Sequence, residues 1–201
     1  MATEGRAKHK FCRRIGYCLW GNPKCPSVKR PFPAGPHGKT GRKKKLSTYG
    51  ELLMEKQKLQ NFYNLSAKQV SLTCAHAKKG KGMTNEKLFQ GLEMRLDAIV
   101  NRSGLAPSIF AARQLVTHRH ILVDGKKVDR PSFILKEGQV ISLNAEKSPA
   151  IAEAIKNSNS SVPSYIQLEK EQLKATVIRV PGLDEMPLQV DMMKVVEFYS
   201  R

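Results

Sequence analysis

Carboxylates are nearly missing from the first quarter of this chain: among residues 1–50, Glu4 stands alone against 13 lysines and arginines. A segment so one-sided cannot neutralise itself, which excludes an ordinary surface of alternating charges. Also lacking is any run of about 18 apolar residues, so no helix is expected to span a membrane. The N-terminus has neither the apolar stretch nor the small-residue cleavage site of a secretory signal. It shows no long amphipathic Arg/Ser pattern of a transit peptide either, so a cytosolic (or organelle-encoded) protein is expected. Thiols stay reduced there, and the four cysteines are expected to hold metal or to pack, and not to form disulfides.

What is present is cationic charge. The 201 residues carry 35 Lys and Arg against 17 Asp and Glu, a formal net of +18. The first 50 residues hold +12 of it, residues 51–145 hold +7, and residues 146–201 hold −1. Such a charge repels itself in the free protein and becomes useful against a polyanion, where each cation that meets a phosphate releases condensed counterions. Nucleic acid is the leading partner class. An anionic membrane surface comes second, but the basic run at 39–45 has no apolar face to accompany it.

Pro and Gly punctuate residues 1–46 too densely for regular elements, although Phe11, Ile15, Tyr17, Leu19, Trp20 and Phe32 offer more anchors than a free tail needs. A helical period begins after Ser47, with Leu52, Leu53, Lys56, Leu59 and Tyr63 on one face. Ser66 and Gln69 predict a capping box for a second helix, closed by the KKGKG run at 78–82. Thr84 is expected to cap a third helix carrying Leu88, Leu92, Leu96, Ile99 and Val100, and Ser108 a fourth. The period then changes. Ile121–Val128, turning at Asp124-Gly125, and Phe133–Leu143, turning at Lys136–Gln139, each predict strand, turn, strand. A helix opening at Ser148-Pro149, a polar loop over 157–164, strands near 165–168 and 175–180, and a helix capped by Asp191 complete the chain.

Residues 94–143 carry Arg95-Leu96-Asp97, Gly104-Leu105-Ala106, Ser108, Ala112-Arg113-Gln114-Leu115-Val116, His118, Val123-Asp124-Gly125, Val128 and Pro131-Ser132. This stretch resembles the small RNA-binding domain named after ribosomal protein S-four. Outside it, Ala34-Gly35-Pro36-His37-Gly38, Tyr49-Gly50, Glu55–Leu59 and the terminal Val196–Arg201 are similar to the small-subunit ribosomal protein family itself, from about residue 5 onward. The resemblance implies an α+β protein: a basic N-terminal extension (1–46), a helical domain (47–93) on which the C-terminal helix 191–201 packs, and the RNA-binding domain with following strands (94–190). It also implies direct binding of 16S-type ribosomal RNA, nucleation of small-subunit assembly, contact with neighbouring ribosomal proteins, a place where messenger RNA enters, and a role in translational accuracy. Two positions depart from the family's pattern. Arg119 stands where the module has Gly, and Ile109-Phe110 replace basic residues.

Candidate RNA contacts follow from charge and from these motifs: Arg13, Arg14, Lys29, Arg30, His37, Lys39, Arg42, Lys43, Lys44, Lys45, Lys56 and Lys58 in the first half. In the module they are Arg95, Ser108, Arg113, Gln114, His118, Arg119, His120, Lys126 and Lys127. The competing reading for Arg95 and Arg113 is pairing with Asp97, Asp124 or Asp129. Tyr49 suits either a base stack or the core. His9, Cys12, Cys18 and Cys25 make a complete tetrahedral set for one structural zinc ion. The resemblance agrees in part, since some family members hold a four-cysteine zinc knuckle here and others none. His9 and Cys12 fall at the first ligand pair and Cys25 at the last. The alternative is three small buried thiols with His9 facing RNA. An RNA-modifying enzyme is the rival function, but no catalytic constellation stands outside the module; Cys74 and His76 are expected to pack.

Overall fold

The computed structural model describes residues 9–41, 45–80, 82–144, 149–156 and 161–200. Its architecture is the α+β arrangement that the sequence predicts. Two short helices, α1 (Lys10–Ile15) and α2 (Pro26–Lys29), interrupt a segment that composition alone made irregular. The helical part continues with α3 (Thr48–Phe62), α4 (Ala67–Lys79) and α5 (Thr84–Glu93). Ser47 caps α3 by accepting from Gly50, and the predicted Ser66–Gln69 box opens α4 with both reciprocal bonds formed. Leu52, Lys56, Leu59 and Phe62 form the buried stripe of α3.

The expected single helix over Thr84–Val100 is two. Helix α5 ends at Glu93 and α6 (Leu96–Arg102) begins after an extended Arg95, so the cap of α5 is Met83 and not Thr84. The break satisfies backbone groups elsewhere: Leu96 N–H donates to the Phe133 carbonyl and Leu135 N–H to the Met94 carbonyl, both at 2.8 Å. The same exchange explains why the expected strand at Phe133–Leu135 is reduced to a bridge between Ile134 and Arg95. Its hydrogen-bonding groups are used by the interhelical joint.

Helix α7 (Ile109–Thr117) is capped by Ser108, whose side chain accepts from Ala111 N–H. Strands β1 (Ile121–Val123), β2 (Lys126–Lys127), β3 (Val140–Leu143), β4 (Ile166–Glu169) and β5 (Lys174–Val177) form one antiparallel sheet in the order β2-β1-β3-β5-β4. Asp124 (φ 48°) and Gly125 (φ 77°) both take the left-handed conformation that a two-residue hairpin turn requires. Helix α8 (Pro149–Lys156) opens on its proline, while Ser148 and residues 157–160 of the polar loop lie outside the described residues. Helix α9 (Met192–Phe198), capped by Asp191, packs on α3 and α5.

Two hydrophobic cores result. One joins α6, α7 and the sheet through Ile99, Val116, Ile121, Ile141 and Tyr165; the other joins α1, α3, α4, α5 and α9 through Cys12, Leu59, Val70, Leu88 and Val195. Glu93 sits between them, fully buried. It accepts from the hydroxyls of Tyr63, at the end of α3, and of Tyr165, beside β4, the latter at 2.8 Å. It also pairs with Arg102 of α6. Burial works against the Arg102 charge, but the carboxylate outweighs it and strengthens the guanidinium's hold on its proton. Burial, and then the Glu93 charge, raise both tyrosine hydroxyls well above their ordinary range, so they stay protonated and donate to the carboxylate. Replacing Glu93 by Gln strands a buried guanidinium, and unfolding free energy should fall by about 3 kcal/mol in urea titration. Tyr165→Phe removes one donor and should cost about 1–2 kcal/mol.

Candidate nucleic-acid interface

Exposed cations project from a rigid frame at the far end of the module. After α7 the chain reverses through His118, Arg119 and His120 into β1. The His118 and His120 rings lie nearly parallel (16°) with centroids 6.2 Å apart. Arg119 has φ 61°, the left-handed conformation that favours glycine. Its guanidinium forms an exposed pair with Asp129 at 2.9 Å. Gln114, Lys126 and Lys127 are exposed on the same α7–hairpin unit, and both lysines pair with no carboxylate among the described residues.

Three expected contacts turn out to face inward. Arg95 is 6% exposed and binds both oxygens of Asp97 at 3.0 Å. Arg113 donates to Asp97 at 2.9 Å and to the carbonyl of Asn64, at the turn between α3 and α4. Asp97 thus gathers two arginines, the competing reading for both, and Arg113 ties the module to the helical part. Lys56 is buried with its ammonium 5.6 Å from the Phe198 ring centre, and burial lowers its pKa. Its four-carbon stem packs in the α3–α9 seam, so a lysine on an apolar stripe was the sign of an inward role.

Others have mixed duties. Lys58 pairs with Glu55 at 2.7 Å. Ser108 is used as the α7 cap. Tyr49, 57% exposed, leans on Phe198 at 5.8 Å and so belongs neither to the core nor to open solvent. Arg13 donates to the carbonyls of Phe32 and Pro33 and stacks on the Phe32 ring at 5.1 Å, pinning the Pro-rich segment to α1. Arg14, Lys29, Arg30, His37, Lys39 and Lys45 are exposed, and none pairs with a carboxylate among the described residues. Arg42, Lys43 and Lys44 lie outside them.

The donor atoms of His9, Cys12, Cys18 and Cys25 converge within 4.8 Å of one another. Cys25 Sγ lies 3.0 Å from His9 Nδ1 and 3.1 Å from the Ser27 hydroxyl. Burial and its neighbouring thiols push the Cys12 thiol up to about 11, while burial of Cys25 is outweighed by hydrogen bonds from Ser27, Cys18 and Cys12 that lower it. A tetrahedral site with bonds of about 2.3 Å to sulfur has donor separations of about 3.8 Å, which this cluster brackets. These four residues could hold a metal ion. Cys74 is buried in the second core, far down the chain on α4, and serves packing alone.

Sequence reasoning did not single out Glu93, Tyr63, Tyr165 and Arg102 as one network. The available signal was a carboxylate inside the apolar run Leu88-Phe89 to Met94. It likewise left Ile109-Phe110 without a partner. Phe110 meets Trp20 edge-on at 5.4 Å, so the lost cations are replaced by an aromatic contact between extension and module.

These features define the class: an RNA-binding-type domain carried by a helical, cationic N-terminal part. A family model for the S4 domain matches residues 94–141, and one for the ribosomal protein S4/S9 N-terminal domain matches residues 5–93. The chain is 43% identical over 206 residues to small ribosomal subunit protein uS4 of Ruegeria sp. (strain TM1040), covering 100% of both. It is 44% identical over 207 residues to that of Brucella abortus (strain S19), and 42% over 206 to that of Rhodospirillum centenum, again at 100% of both. The chain belongs to the bacterial-type ribosomal protein S4 family, a family of structural ribosomal proteins and not of enzymes. No described helix is long and apolar enough to cross a membrane.

The left-handed Arg119 supplies a direct test. Arg119→Gly relieves about 1–2 kcal/mol of backbone strain and loses an exposed pair worth a few tenths. Its urea midpoint should therefore rise, by about 0.5–1 kcal/mol of stability, while RNA affinity falls.

Proposed function

We propose that this chain is a structural constituent of the small ribosomal subunit that binds 16S-type ribosomal RNA directly and helps nucleate assembly. The observation that carries the reading is the split among its cations. Arginines at the frame's joints are spent on Asp97 and Glu93, while Arg14, Lys29, Arg30, Lys39, Lys45, Lys126 and Lys127 stand exposed without a described carboxylate partner. Phosphate contacts from the second group supply affinity. Gln114 and the His118–His120 pair are placed to read the sugar edges and unstacked bases of an irregular junction. In the subunit the chain adjoins neighbouring ribosomal proteins. It lies where messenger RNA enters, with an effect on accuracy, a placement supported by family membership. The ribosome of the cytoplasm, or of an organelle, is its compartment.

His9, Cys12, Cys18 and Cys25 hold one structural zinc ion in this reading. The metal supplies folding energy to a segment of high net charge and little core. All four positions are filled by protein donors, so its work is to clamp α1 to the loop before α2.

Three measurements check this. Chemical probing at moderate salt should reveal protection of one defined small-subunit RNA junction; equal affinity for unrelated RNA or anionic vesicles would remove the assignment. Lys126→Ala with Lys127→Ala should lower the slope of log affinity against log salt by about 1–2 without changing stability. Metal analysis should find about one zinc per chain, kept in Cys74→Ser and lost in Cys12→Ser. Protein purified with zinc present and found metal-free would sink the zinc site.

A further inference from the structure

The cationic extension and the module do not merely touch. They enclose a cavity of about 290 Å³, open to solvent on one side. One wall is aromatic. Trp20 comes from the extension and Phe62 and Tyr63 from the end of α3. Trp20 cannot drift: its indole N–H donates to the Phe62 carbonyl at 3.2 Å, and its edges meet His9 and Phe110. The opposite wall is the end of α6 and the start of α7, with Asn101, Pro107 and Ser108.

The polar groups in that wall differ in their freedom. Arg102 is committed, paired with Glu93 and stacked 5.0 Å from the Phe62 ring. Ser108 accepts from Ala111 N–H, which leaves its own O–H free to donate. The side-chain amide of half-buried Asn101 has no partner among the described residues. A primary amide presents one donor face and one acceptor face, complementary to the edge of a nucleobase. The indole of Trp20 beside an uncommitted amide is the chemistry that recognises a base removed from its stack.

Charge selects the source of that base. The cavity forms where a segment of net +12 meets the module, so strands of RNA are drawn to its mouth before any free nucleotide is. We infer that the cavity between Trp20 and Asn101 is a subsite for one unstacked nucleobase of the bound RNA. The inference rests on the RNA-binding reading above and deepens it. Phosphate contacts hold the RNA along the exposed cations, and one base turns into the seam between extension and module. Because both parts contribute walls, base entry also reports that the extension has docked.

The chain has a single tryptophan, and it lines this cavity. Its emission therefore reads base entry directly. Zinc-loaded full-length protein is titrated with a small-subunit RNA fragment, with heparin as a polyanion lacking bases, and with AMP and GMP. The RNA should quench Trp20, and heparin should bind without quenching. The mononucleotides should quench only at millimolar levels. Asn101→Leu, which removes the amide and narrows the cavity, and Asn101→Asp, which keeps its size, should each abolish quenching and weaken RNA binding about tenfold, the scale of one lost base stack. Unchanged melting temperatures establish that both variants are folded. RNA binding with normal affinity and no change in emission overturns the subsite, as does full quenching in both variants. Saturation by mononucleotides at micromolar concentration assigns the cavity to a free nucleotide and overturns the RNA source. Absence of specific RNA binding altogether is a failure of the underlying function, visible as equal affinity for RNA and heparin.

Discussion

The buried carboxylate of Glu93 is the constraint on which the rest of this structure depends. A charge taken wholly out of water costs several kcal/mol unless its lone pairs are filled. Here two tyrosine hydroxyls and one guanidinium fill them, and the three donors come from α3, α6 and the β4 edge. The helical part cannot rotate against the module without leaving that charge short of a partner. Asp97 repeats the device a few residues on, holding Arg95 and Arg113, and Arg113 reaches back to Asn64. The two hydrophobic cores are thereby fixed in one mutual orientation.

That fixity changes what the surface charge can do. A mobile polycation binds any polyanion, whereas cations at set positions suit one arrangement of phosphates. The chain divides its arginines and lysines accordingly. Arg95, Arg102 and Arg113, with their planar forks, serve the internal joints at Asp97 and Glu93; Arg14 and Arg30 and the lysines on β2 and in the extension face outward. The convergent His9, Cys12, Cys18 and Cys25 bring α1 and the loop before α2 together in the extension and could hold a metal ion there.

Much of this was legible in the sequence. Caps at Ser66, Ser108 and Asp191 and the Asp124-Gly125 turn depend on local chemistry, and local chemistry is written in adjacent residues. The resemblance marked Arg119 as a departure from the module's pattern, and the structure places it in the left-handed conformation. The helix break at Met94-Arg95 was hidden, since the apolar stripe runs straight through it and the cause lies far down the chain at Phe133. Arg95 and Lys56 misled for a related reason: a cation in sequence carries no mark of which face it takes. Only the neighbouring carboxylate at Asp97, and the apolar stripe around Lys56, hinted at inward roles.

The central claim is that a rigid joint converts general attraction for RNA into recognition of one RNA. It is tested most directly by the ratio of affinities for a small-subunit RNA junction and for an unrelated RNA of equal length, measured at one moderate salt concentration in wild type and in Glu93→Gln. The account predicts a large ratio in wild type and a much smaller one in the variant, with affinity for the unrelated RNA nearly unchanged. A ratio near one in wild type, or a ratio untouched by loosening the Glu93 joint, would contradict it.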